Sequence, residues 1–167
     1  MEPFKPVDAE ALLRALVGQG VQFIVVGGVA AFAHGSPRLT LDLGVVYSRQ
    51  SDNLDRLERA RAPLEPYLRG APSGLPFKWD RETIRRGLNF TLTTTAGPID
   101  VLGEVTGGGR YEQLSAHSHP TDALGVRCLC LDLDKLIEVK RAAGRAKDLE
   151  AIADLEAIWE ERRQRGL

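Results

Sequence analysis

Apolar residues recur along this chain at two spacings, and the switch between them divides it into helices and strands. After Asp8, a residue able to cap a helix, Leu12, Leu13, Leu16 and Val17 fall on one helical face that ends at Gly18 or Gly20. The glycine-bounded apolar run at 21–26 predicts a buried strand, and the Ala-rich stretch at 29–34 a short helix. A second strand is expected over 40–47. Ser51 then opens a charged helix with Leu54, Leu57 and Leu64 inward, which must stop near Pro63 or Pro66. Residues 70–76 read as a loop without regular structure. Leu88, Phe90 and Leu92 alternate with polar positions, and the Ala96-Gly97-Pro98 turn leads into Ile99-Asp100-Val101-Leu102, so 88–102 predicts a hairpin. Glycines 107–109 suit a flexible loop. A strand at 125–131 precedes a helix at 132–143, which Gly144 breaks, and a last helix covers 147–163. No internal repeat or low-complexity segment is visible.

Composition narrows the classes. With 167 residues, 43% of them hydrophobic, the chain can bury one real core. A formal net charge of -1 supplies no global basic field for nucleic acid or membrane. The opening Met1-Glu2-Pro3-Phe4-Lys5-Pro6 is charged and proline-containing, unlike a signal peptide, and no apolar run reaches the roughly 18 residues of a membrane span. Cys128 and Cys130, two apart on one strand face, are too close for a relaxed disulfide and read as core thiols of a reducing cytoplasm.

Candidate chemistry gathers at three places. Gly27-Gly28 follows the first strand, where a glycine pair opening a small-residue helix lets backbone amides approach an anion. Asp42 and Asp100 each sit between aliphatic residues on an expected strand, and a carboxylate there needs a partner. The bland reading is a capped turn or an arginine pair. The sharper one is that both acids point at one cation, as in phosphoryl or nucleotidyl transfer, where carboxylates hold Mg²⁺ and a glycine turn cradles the phosphates. Gly44 stands where a second acid of the strand would be wanted.

These pieces resemble the nucleotidyltransferase superfamily of polymerase-β-like fold, in particular its small bacterial minimal-nucleotidyltransferase, AbiEii-like branch. Gly27-Gly28 match the glycine turn, Thr40-Leu41-Asp42-Leu43 most of the Thr-x-Asp-apolar-Asp strand, and Gly97-Pro98-Ile99-Asp100 the third carboxylate. Residues 134–148, with a helix, a Gly144-Arg145 turn and Lys147-Asp148 opening the next helix, also look like this branch. The resemblance covers about 21–48, 88–104 and 132–158. It implies an α/β fold with a mixed sheet and a C-terminal helical pair, in one domain with its core at about 8–131. It further implies transfer of NMP from an NTP to an acceptor hydroxyl with two Mg²⁺. Asp42 and Asp100 would hold metal, Gly27 and Gly28 would cradle phosphate, and Lys140 would neutralise it. The acceptor stays open among tRNA, protein and small molecule.

Gly44 departs from the family, where that position carries a metal-coordinating acid. The chain is then either a natural inactive relative or a drifted or engineered copy of an active parent. The competing function is a catalytically silent binding module, antitoxin-like or regulatory with a toxin or antitoxin partner. The third reading is a structural α/β domain without nucleotide. Ser36 and Arg38, in the loop before the acid strand, could meet phosphate or simply form surface. Lys140, Arg141, Arg145 and Lys147 make a basic cluster that reads as a triphosphate contact or as a solvated helix face. His117 and His119 have metal-binding spacing but precede Pro120 in an expected polar loop, which favours exposed, unliganded histidines. Phe77 and Trp79, near Arg81, Arg85 and Arg86, are expected to close the core rather than stack on a base.

Overall fold

The computed structural model describes residues 7–166, so the charged opening segment at 1–6 lies outside the described residues. Asp8 caps α1 (Ala9–Gly18), accepting the Ala11 amide at 3.0 Å, and Leu12, Leu13 and Leu16 are fully buried. Val17, expected on the same face, is exposed. Next come β1 (Phe23–Val26), α2 (Gly27–Ala33), β2 (Leu43–Tyr47) and α3 (Ser51–Arg61). A 3-10 turn, Ala62–Leu64, ends α3 at the expected proline. Then follow β3 (Tyr67–Leu68), α4 (Arg81–Arg86), β4 (Asn89–Thr93), β5 (Ile99–Leu102), β6 (Glu104–Val105), β7 (Gly109–Arg110) and α5 (Tyr111–Ser115). The chain finishes with β8 (Ser118–Ala123), β9 (Val126–Leu131), α6 (Leu133–Ala143) and α7 (Ala146–Gln164).

Seven strands form one mixed sheet in the order β3-β4-β5-β2-β1-β9-β8. Strand β1 runs antiparallel to β2 and parallel to β9, while β2 runs parallel to β5. The innermost strands are the unbroken apolar runs, because a strand covered on both faces has no reason to alternate. Strand β4 lies one place from the edge and alternates exposed and buried, as its sequence predicts, and it forms the expected hairpin with β5. Trp79 is buried edge-to-face on Phe90 with ring centroids 5.2 Å apart, and Phe77 packs beside it, so both aromatics close the core. Cys128 and Cys130 are free and buried. At the end of α3, Arg61 is fully buried and its three guanidinium nitrogens have no hydrogen-bond partner among the described residues.

Several boundaries differ from expectation. The second strand begins at Leu43 rather than 40, because β1 ends at Val26 opposite Gly44 and offers residues 40–42 no ladder partner. The helix expected at 29–34 already starts at Gly27. Glycines 107–109 help close a small hairpin, β6–β7, in place of an open loop. The segment after His117 is the edge strand β8, where Pro120 is tolerated because an edge residue can spare its amide. Among the described residues no helix is long and apolar enough to cross a membrane.

Candidate functional site

Sheet register assembles the site. Gly44 pairs with Val26 on one side and with Asp100 on the other, and directly paired residues project on the same face. Asp42 lies two residues before Gly44 at the mouth of β2, where the Thr40 hydroxyl donates to the Asp42 carbonyl at 2.7 Å. Asp42, the Gly44 gap and Asp100 therefore share one corner of the sheet. The flanking Ile99 and Val101 are fully buried on the opposite face, leaving Asp100 half-buried.

The two acids meet through Arg69, just past β3. Its Nη2 stands 2.9 Å from Asp100 Oδ1 and its Nη1 3.9 Å from Asp42 Oδ2. The shorter contact is an ion pair without hydrogen-bond alignment: Asp100 Oδ1 is buried and accepts no aligned donor. Burial, then the neighbouring Asp42 charge, pushes Asp100 above the ordinary carboxylate range, with Arg69 pulling the other way.

The α6–α7 junction supplies positive charge. Gly144, with φ of +66°, ends α6 in the left-handed region, its amide donating to the Lys140 carbonyl, and the chain reverses into α7. Lys140 keeps only 13% of its side chain exposed, and its amine lies 4.0 Å from Asp148 Oδ1. Burial lowers the amine's pKa, and Asp148 and, more weakly, Asp42 oppose that. Arg145 donates to Asp148 at 2.7 Å and also feels Asp100 and Asp42. Burial would raise Asp148, but Arg145 and Lys140 outweigh it and hold this buried carboxyl below its usual value. Lys147 is exposed and Arg141 pairs with Glu156, so only part of the basic cluster turns toward the acids.

The glycine pair has structural work of its own. Gly27 adopts φ of +73°, and a Cβ on Gly28 would stand 2.6 Å from Thr40 Oγ1. This close approach brings the start of α2, which no side chain caps, against the loop that presents Asp42. Ser36 is buried and its hydroxyl accepts the Arg38 amide at 3.4 Å. Arg38 is turned to α7, paired with Asp154 and donating to the Glu150 carbonyl at 3.2 Å. It clasps the 35–42 loop to α7 rather than joining the acids. His117 is exposed, and His119, exposed on β8, lies 2.6 Å from Asp132, a contact that raises its pKa.

The donor set is short of a divalent-metal site. Among the described residues no three His, Cys, Asp or Glu side chains are grouped to hold a metal. Gly44 offers no oxygen but its carbonyl, and a guanidinium lies against the two remaining acids. Sequence patterning misses Arg69, because a two-residue edge strand is too short to show periodicity and 70–76 correctly reads as loop. It misses the tie of Asp148 to Lys140 for a related reason: the pairing depends on how tightly Gly144 reverses the chain.

No protein-family model and no curated protein matches this chain. Among solved structures the fold is similar to a Thermotoga maritima protein described as a "putative nucleotidyltransferase", with a TM-score of 0.55 and 13% identity over 87% of this chain and 88% of the other. The likeness establishes a nucleotidyltransferase-like mixed α/β fold.

Proposed function

We propose that this chain is a single nucleotidyltransferase-like domain whose sheet corner, at Asp42, Asp100 and the α6–α7 junction, binds a nucleoside triphosphate. Transfer of NMP to an acceptor hydroxyl is impaired there. The observation that carries this is the register Asp42–Gly44–Asp100: the acids of the motif come together, with a glycine where the shared ligand would be. Lys140 and Arg145 supply charge for the triphosphate, and the backbone at Gly27 and Gly28 lies close enough to the Asp42 loop to cradle it. In the transfer reaction that the sequence resemblance implies, Mg²⁺ would offset phosphate charge, with Asp42 and Asp100 the two residues able to hold it. That donor set is too small for efficient turnover.

A binding role suits a site that keeps its basic groups and lacks a metal ligand. An antitoxin-like partnership in an AbiEii-like system, and tRNA, protein or small molecule as acceptor, rest on the motif resemblance alone, and a cytoplasmic setting rests on the two free thiols. The test is to incubate wild type and Gly44→Asp with each α-labelled NTP, Mg²⁺ and an RNA and protein extract, following retained and transferred label. The proposal expects wild type to retain nucleotide while transferring little, and Gly44→Asp to transfer more. Efficient transfer by wild type would make it an active enzyme, and failure to retain any NTP would favour a structural domain.

A further inference from the structure

Two carboxylates drawn together on half-buried ground repel each other and require a cation between them. In this protein the cation is part of the chain. The Arg69 backbone amide donates to the Thr91 carbonyl and its Nη2 to the Leu92 carbonyl, each at 3.0 Å, so the side chain is anchored on β4. From there the guanidinium extends over β5 to face Asp100 at 2.9 Å and Asp42 at 3.9 Å. We propose that Arg69 is the resident counter-cation of the Asp42–Asp100 pair and excludes divalent metal from it.

The charges support this. Three acids, Asp42, Asp100 and Asp148, stand against three bases, Arg69, Lys140 and Arg145. A divalent ion entering this corner would meet no net negative charge, and its nearest neighbour would be the guanidinium. Were an acid present at position 44, beside Asp100 in the register, the balance would tip toward a metal. Gly44 and Arg69 thus act in the same direction, one withholding a ligand and the other occupying those that remain. Arginine suits the task because its planar fork offers separate nitrogens to two acids.

The inference rests on Asp42 and Asp100 being the acids of the proposed site, but its test uses Mn²⁺ alone, so it can fail while nucleotide binding stands. Free Mn²⁺ would be followed by electron paramagnetic resonance as it is titrated into the full chain, for wild type, Arg69→Gln, Asp100→Asn and the double variant. Wild type is expected to show no Mn²⁺ site that Asp100→Asn removes. Arg69→Gln should gain one site at least about tenfold tighter, because an opposing charge within about 4 Å has gone, and the double variant should lose it again. A folded Arg69→Gln protein that gains no site would overturn the proposal. So would wild type binding Mn²⁺ through Asp100 as tightly as Arg69→Gln does. If Arg69→Gln shows no cooperative melt, Arg69→Met takes its place with the same expected and overturning results, and wild-type Mn²⁺ binding that depends on Asp100 overturns the proposal in either case.

Discussion

Arg61→Met is expected to make the protein more stable. Arg61 is fully buried at the end of α3, and none of its guanidinium nitrogens has a hydrogen-bond partner among the described residues. Burial alone lowers its pKa to about 9, well below the ordinary guanidinium value. At about 1.4 kcal/mol per pKa unit, the buried charge is disfavoured by several kcal/mol. Methionine fills a similar volume without the charge, and removing buried ionic groups in favour of apolar ones stabilises proteins by about 1–4 kcal/mol. For a chain of this size that gain would raise Tm by about 2–4 °C per kcal/mol. The pH dependence carries the sharper signature. Below pH 9 folded and unfolded chains both keep the proton, so the penalty is fully present. Above pH 9 the folded state releases it while the unfolded state still holds it, and wild type gains stability relative to the variant. Urea melts at about pH 7 and about pH 10.5 should therefore show the gap narrowing by about 2 kcal/mol. A variant less stable than wild type at neutral pH, or a gap unchanged at the alkaline one, would mean that the guanidinium has a partner and refute the reasoning.

Three further outcomes are expected. Lys140→Ala should weaken binding of a fluorescent NTP roughly three- to tenfold at low salt, and the loss should shrink toward about 1 M NaCl, where screening already erodes the contact; a salt-independent loss would point to misfolding instead. Gly44→Asp should still melt cooperatively but lie about 1–3 kcal/mol below wild type without divalent metal, since its Cβ would stand 3.3 Å from the Val26 carbonyl oxygen and its carboxylate beside Asp100. It should also raise Mg²⁺-dependent NTP affinity, and calorimetry giving equal affinities for both forms would count against the glycine's role. Trp79→Ala should cost about 3–5 kcal/mol in urea melts by emptying the space against Phe90, and a cost below about 1 kcal/mol would show that the aromatic row is not core.

What is legible in the sequence is what is local. The hairpin 88–102, the cap at Asp8 and the stop at Gly144 depend on neighbouring residues, and each lies where patterning puts it. The convergence of Asp42 and Asp100 is one of two readings that lone acids on apolar strands allow, but the place of Gly44 between them is legible only through resemblance, because register between β2 and β5 is set by the whole sheet. Arg69 is not legible at all. It follows a two-residue edge strand, shows no pattern of its own, and owes its role to where β3 docks on β4. Strand β8 is hidden for a different reason: Pro120 reads as a strand breaker until the strand is known to lie at an edge.

The central claim is that a nucleoside triphosphate binds in the corner shared by Gly27, Asp42, Asp100 and Lys140. Amide chemical-shift mapping during titration with each NTP tests it most directly, because it reports where the ligand sits as well as whether it binds. Shifts clustered at Gly27, Gly28, Asp42, Asp100 and Lys140, and diminished in Lys140→Ala, are the predicted result. Saturating NTP that moves none of these signals, or moves only signals elsewhere, would contradict the account.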